Sequence, residues 1–509
     1  MIRALTISWI CGMVGLMAAE PSDLLRFTNG DQLHGTFQGI KDGPQAIWQR
    51  DDLAAPVDFK IAQLRHIILN GGRPLKSLTT LSHVALVNGD RVPGTITGLD
   101  DGMVALDTPY AGILRIPRNQ VAMLAPSPLG GRIHYHGPFV EDEWQMSNAS
   151  YPDGLPPVVA DPAGKNDDDE ASDIPGRWKF SGSAWYWGSK SSGTAIVRKD
   201  VMPDRAVLRF DLAWKSRLSV AIGFHADFAH PKPLLEEDGE ANGGIRKPVR
   251  FVPGDSAVLP VLFGNSYVLH IFASHLMLYR TSVNADGVAS IERVQVNANS
   301  IRLGDSGKVT MEIRSNRLTG QISLFIDGEF AAQWSEATAP PGLAHVHSDK
   351  GAGFGFVVQT ENSSVRLSDI MVAEWNGMPD SARSLQVDDQ DIVLLTNGID
   401  RFSGNVKSLK EGKVNLLAKH GEFQFPLEDV AEIRFARNKL APQAEESADS
   451  VIVRLSPLGQ ITGRPLSGGP SSIRLLHSVA GEMNFNLESA VMLDFQPSHN
   501  MIDDWNSEF

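Results

Sequence analysis

Leu25-Arg26-Phe27-Thr28-Asn29-Gly30-Asp31 is an apolar strand running into a turn, and the chain returns to the phrase at Leu86-Val87-Asn88-Gly89-Asp90. A third copy stands at Leu394-Leu395-Thr396-Asn397-Gly398, and a degenerate fourth begins Val453-Arg454-Leu455 and continues through Gly459 and Gly463. Asn-Gly favours the positive φ angles of a tight hairpin. A second glycine follows at Gly35, Gly94 or Gly404, where a small sheet must bend sharply. Another hairpin signal comes next, at Asp42-Gly43, Asp101-Gly102 or Glu411-Gly412. Each copy closes alike: Phe59-Lys60-Ile61 with Ile67, Ile116-Pro117 with Leu124, Phe425-Pro426-Leu427 with Ile433, and Phe485-Asn486-Leu487 with Phe495. A last strand there closes the sheet and removes one exposed edge.

These copies, residues 24–70, 82–126, 390–436 and 450–496, resemble the five-stranded small barrels of the Sm-like and SH3-like type. The resemblance implies modules that bind something, pair through edge strands, or act as spacers without a ligand.

Between them the texture changes. Ala206, Leu208, Phe210, Leu212 and Trp214 alternate with Val207, Arg209, Asp211 and Ala213, and Val309, Met311 and Ile313 alternate with Thr310, Glu312 and Arg314. Period-2 alternation broken by turn residues predicts a β-sandwich. The order of phrases, from Trp178-Lys179-Phe180 to Leu324-Phe325-Ile326-Asp327-Gly328 and Trp334, resembles the concanavalin A-like or laminin G-like jelly roll over residues 175–376. Within that group it is most similar to the bacterial branch with the 3-keto-disaccharide hydrolase domains. The resemblance implies a fold and little about activity, since lectins, hydrolases and adhesion modules share it.

The remaining composition narrows the partners. Net charge is −14 over 509 residues, which argues against a general nucleic-acid binder. Residues 1–19 read as a secretory signal, with Arg3 before an apolar stretch too short to span a bilayer and Ala18-Ala19 as a cleavage site. The one cysteine, Cys11, lies inside it, so a mature chain would have no disulfide. An exported bacterial protein, periplasmic or secreted and without a membrane span, is expected.

Signals for chemistry are sparse. Trp185 and Trp187 share a strand face and offer an aromatic platform for a sugar, against core packing as the plainer reading. The irregular stretch after Phe224 carries His225 and Asp227, and His270 and Arg280 follow on predicted strands. Long loops in compact domains are usually functional or disordered. Asp167-Asp168-Asp169-Glu170 could bind Ca²⁺, but it lacks a spaced ligand pattern and reads first as a solvated run. The alternating pairs His134/His136 and His345/His347, with Asp349, could share a metal, although chance spacing suffices. No Gly-x-Ser-x-Gly elbow, His-Glu-x-x-His helix or Glu-x-Asp-x-x-Glu strand is present.

The expectation is therefore an all-β chain: a central jelly-roll β-sandwich flanked by two pairs of small five-stranded barrels. The boundaries are 1–19, 20–75, 76–130, 131–378, 385–440 and 445–497. The leading function is non-catalytic binding of a glycan or cell-surface component through Trp185, Trp187, His225, Asp227, His270 and Arg280, with no required cofactor. One alternative is a glycoside-cleaving enzyme using the concave face of the jelly roll. The other is a scaffold that self-associates through barrel edges.

Overall fold

A computed structural model describes residues 23–41, 44–151, 154–155, 175–232, 256–294, 297–298, 301–335, 351–377, 388–442 and 449–495. Residues 1–19 with Cys11, the acidic run 167–170, and His345, His347 and Asp349 lie outside them. Among the described residues no helix is long and apolar enough to cross a membrane.

Repeats one, three and four build five strands each, and repeat two builds six because its second strand is broken into Arg91–Pro93 and Thr95–Leu99. In the first, Asp23–Phe27 pairs with Gln32–Lys41 on one side and with the last strand, Leu64–Ile68, on the other. Gln45–Gln49 and Val57–Lys60 extend the sheet from the second strand. At the turn only the glycine is left-handed (Gly30 φ 93°, Gly89 φ 92°, Gly398 φ 73°). The asparagine instead uses its side chain, with Asn29 Oδ1 accepting from Asp31 N at 3.1 Å. Gly35 has a different reason to be glycine: a Cβ there would stand 2.5 Å from the carbonyl oxygen of Gln49 on the third strand. The degenerate fourth repeat makes the same ladder, Val451–Leu455 pairing with Gly459–Gly468 and with Ala490–Asp494. Leu458 (φ 61°) occupies the left-handed turn position that glycine holds in the other three.

Closed barrels do not form, and the expected architecture is corrected here. The strands of all four repeats belong to one 21-stranded antiparallel sheet. The free edge of each last strand is taken by the last strand of another repeat. Leu64–Ile68 of repeat one pairs with Ala490–Asp494 of repeat four, matching Ile67 with Leu493. Val121–Ala125 of repeat two pairs with Val430–Arg434 of repeat three, matching Leu124 with Ile433. The partners are thus nested, outer with outer and inner with inner. Repeats one and four also meet at Ile40 and Gly468, where a Cβ on Gly39 would lie 2.1 Å from the Gly468 oxygen. The second edge of each last strand is therefore used inside the chain, while Val57–Lys60, Gly112–Pro117, Gly421–Pro426 and Gly481–Asn486 each pair on one side only among the described residues.

Residues 133–374 form a sandwich of a nine-stranded and a seven-stranded sheet. Phe210 of one meets Phe356 of the other with ring centroids 4.9 Å apart. On the strand Arg205–Lys215, Ala206, Leu208, Phe210, Leu212 and Trp214 enter this core, so Arg209 and Asp211 face outward.

Buried carboxylates fasten the repeats. Asp391 is fully buried and accepts from Val406 N (2.9 Å), Ala436 N (3.0 Å) and Lys439 Nζ (3.1 Å). Asp23 takes the equivalent place in repeat one, accepting from Phe37 N and Asn70 N. Asp391→Ala strands two buried amide donors and removes the ion pair of Lys439, so unfolding free energy should fall by about 3–5 kcal/mol in urea titration. A loss below about 1 kcal/mol would refute this account of the carboxylate.

Candidate functional site

The outward face of the nine-stranded sheet does not meet solvent alone. It faces the repeat sheet across a cleft of about 840 Å³. The sandwich wall carries His136, Arg209, Asp211, Lys308, Thr310, Arg366 and Asp369, and the repeat wall carries Arg91, Arg454, Ser456, Gln460 and Asp494. A second chamber of about 450 Å³ adjoins it and shares Arg91, Arg209, Thr310 and Leu458.

Local backbone explains how these groups arrive. Pairing between Arg205–Lys215 and Ser364–Glu374 slips between Arg209 and Asp211, and Asp369 there has φ 48°. A bulge inserts one residue and re-aims a side chain, and aspartate is among the few residues that tolerate that φ. The carboxyl thereby reaches Arg209 (Nη1–Oδ2 2.9 Å) and His136 (Nε2–Oδ1 3.1 Å). Burial works against its ionisation, but the His136 hydrogen bond and the Arg209 charge outweigh it and hold Asp369 well below the usual carboxylate range. Asp211 accepts from Thr310 Oγ1 at 2.7 Å and pairs with Lys308 at 2.9 Å. Arg454 pairs with Asp494 at 3.1 Å. Arg366 Nε donates to Tyr186 Oη at 2.9 Å. Ser456 Oγ lies 3.1 Å from His136 Nδ1 and 3.5 Å from Nε2, so the hydroxyl sits against the ring rather than in line with either lone pair.

The lining holds five cationic and three carboxylate side chains, two positive charges in excess. Nearby His66 reports the same sign. Burial, then Arg26, Arg65, Arg366 and Arg454, push it down to about 3.

The residues singled out from sequence lie elsewhere and apart. Trp185 and Trp187 do share a face, but it is the core face: both are buried, Trp185 beside Phe180 and Trp187 beside Trp178. His225 is buried with Nε2 2.9 Å from Ser315 Oγ. Asp227 accepts from Ala229 N, Asn265 N and Asn265 Nδ2, which ties the start of the loop to the next strand. His270 is buried with Nε2 2.8 Å from Ser219 Oγ. Arg280 is ion-paired with Glu292. The outer face of the seven-stranded sheet is covered by the short helix Leu259–Phe263, whose Phe263 ring rests on Gly223 and Gly355. His134 and His136 are each met by a separate carboxylate, Glu374 and Asp369. Among the described residues no group of three or more His, Cys, Asp and Glu is placed to hold a metal.

Arg209 and Asp211 were visible as the polar half of an alternating strand, but nothing local says that such a face opposes a second layer. Arg91, Asp369, Arg454 and Asp494 carried no signal of their own.

No protein-family model matches the chain, and no curated protein does. Among solved structures it is similar to the carbohydrate binding module CBM66 from Bacillus subtilis (11% identity, 39% of this chain and 92% of that one, TM-score 0.23). A protein with a galectin-like fold from Bacillus subtilis matches at 12% identity over 48% of this chain and 96% of that one, TM-score 0.26. The VIP36 exoplasmic/lumenal domain in its Ca²⁺/Man3GlcNAc-bound form matches at 9%, covering 51% and 90%, TM-score 0.25.

His270 yields a pH prediction. Burial, and then His275, push it down to about 3. The unfolded chain takes up a proton near pH 6.5 that the native chain refuses until about pH 3. Stability tied to the neutral ring is therefore complete above pH 6.5 and lost as pH falls through that window. Between pH 7 and pH 4 the loss should be roughly 3 kcal/mol from this group. Urea titrations of His270→Gln should show a shallower pH dependence than the parent; parallel curves would refute the assignment.

Proposed function

We propose that the protein is an exported, non-catalytic binding protein that takes a glycan, free or on a cell surface, between the sandwich and the repeat sheet. The cleft carries this reading. Its volume falls in the range of ligand sites, about 300–1,000 Å³. Its walls hold side chains already fixed by partners, such as Asp211 by Lys308 and Thr310, and Asp369 by Arg209 and His136. Groups locked in this way meet sugar hydroxyls without a further ordering cost. The binding surface moves from the face of the seven-stranded sheet, which Phe263 fills, to the opposite side of the sandwich.

Glycoside cleavage is less well supported. A glycosidase acid needs a carboxyl whose pKa is raised. Asp369 is pushed the other way, and Asp211 is held by an ammonium and a hydroxyl. Ca²⁺ is left to experiment, the described part of the cleft offering no ligand cluster.

The test is a glycan screen on the full chain with Ca²⁺ and with chelator, together with an assay for product release. Binding without turnover is expected. Lys308→Ala and Gln460→Ala should each weaken it about five- to tenfold with little change in unfolding temperature. Turnover, or binding that neither substitution touches, would overturn the assignment.

A further inference from the structure

Arg91 is the one guanidinium on the cleft wall for which the described residues supply no hydrogen bond or ion pair. It lines both chambers, at the place where they join. Its backbone position is firmly set: the strand Arg91–Pro93 pairs with repeat two at Ala85 and with repeat four at Gln460. The preceding Asp90 points to the other side of the strand and is buried there. It accepts from Thr462 N (3.0 Å) and Thr462 Oγ1 (2.7 Å) and meets His477 Nε2 at 3.0 Å. The carboxylate next in sequence is therefore unavailable to Arg91, and its anchoring aims Arg91 into the cleft.

The carboxylates facing Arg91 across the chambers are also taken. Asp369 is held by Arg209 and His136, Glu312 by Arg314 (2.6 Å), and Glu432 by Arg434 (3.0 Å). Burial, followed by repulsion from Arg209, pushes the Arg91 guanidinium below its ordinary value against the longer-range attraction of Glu312, Asp369 and Glu432. Arg91 is half-buried and its guanidinium stays open to the cleft, on a strand fixed between the two chambers. Its hydrogen-bonding capacity is thus left for a ligand rather than spent on a structural tie. Five donors in a planar fork match a carboxylate or sulfate and match a hydroxyl poorly. The larger chamber carries the positive excess, within a chain of net charge −14, whereas the cations and carboxylates of the smaller one balance, so an anion is favoured on the larger-chamber side of Arg91.

Resting on the glycan reading above, we propose that the saccharide bound in this cleft is acidic, bearing carboxylate or sulfate groups, and that Arg91 anchors one of these oxyanions where the two chambers meet.

The experiment uses the full chain and three hexasaccharide probes: an oligogalacturonate, a chondroitin sulfate fragment, and neutral maltohexaose, each titrated by calorimetry at two salt concentrations. At least one acidic probe should bind at least tenfold more tightly than maltohexaose, with affinity falling as salt rises. Arg91→Gln should cost the preferred acidic probe tenfold or more and leave maltohexaose unchanged. Arg91→Lys should recover part of the loss, keeping the charge without the fork. Because the guanidinium makes no hydrogen bond or ion pair with the described residues and lies near Arg209, Arg91→Gln should unfold within about a degree or two of the parent. A larger drop in unfolding temperature would mark a structural role and overturn the proposal. Maltohexaose binding as well as the acidic probes, in a manner sensitive to Gln460→Ala, would overturn the acidic assignment and leave the glycan cleft standing. Binding of none of the three would count against both. Preference for the oligogalacturonate or for the chondroitin sulfate fragment identifies the oxyanion.

Discussion

A β-strand with one side unpaired leaves a row of amide and carbonyl groups that must find partners. Everything distinctive about this molecule follows from where the last strand of each repeat finds them. It does not close its own sheet. Repeat one takes repeat four, and repeat two takes repeat three, each through the same middle contact: Ile67 on Leu493, and Leu124 on Ile433. Since the chain between repeats two and three is the sandwich, this nesting folds the repeats back over one of its sheets. The cleft is the space left between the two layers.

Buried polar groups then fix how the pairs sit. Asp90 of repeat two reaches Thr462 and His477 of repeat four, which ties one repeat pair to the other. Asp391 gathers Val406, Ala436 and Lys439 within repeat three, and Arg118 of repeat two approaches it at 3.4 Å. Such contacts add little net stability over an apolar packing of the same volume, but breaking one is expensive, so they select one arrangement among many similar sheets.

The legible parts of the sequence were those governed by local rules. Asn-Gly located the hairpins because few dipeptides accept that backbone, and the closing phrases located the last strands. Period-2 alternation assigned Phe210 inward and Arg209 outward correctly. Closure into barrels could not be read, because a last strand carries the same apolar residues whether it pairs at home or with a repeat hundreds of positions away. The Trp185–Trp187 pair was ambiguous for a related reason: alternation says that two rings share a face without saying which. Asp369 depended on a bulge opposite Phe210, and Leu458 on a left-handed turn in a leucine, and neither has a reliable signature. His225 and Asp227 attracted notice as polar residues at the start of a long loop. There His225 bonds a buried serine, and Asp227 bonds backbone and Asn265.

Nesting also sets a schedule. A chain made from its first residue onward completes repeats one and two while their partners do not yet exist. The edge at Leu64–Ile68 waits for residues near 490, as long a delay as the strand pairings of the described residues contain. Over that interval the nascent protein presents bare apolar strands of the kind that mispair with neighbours. Contacts this distant in sequence make for slow acquisition of the native state. The last ten-strand pair is then complete only when the final strand arrives, so a truncation of a few dozen residues at the far end would undo structure at the near one.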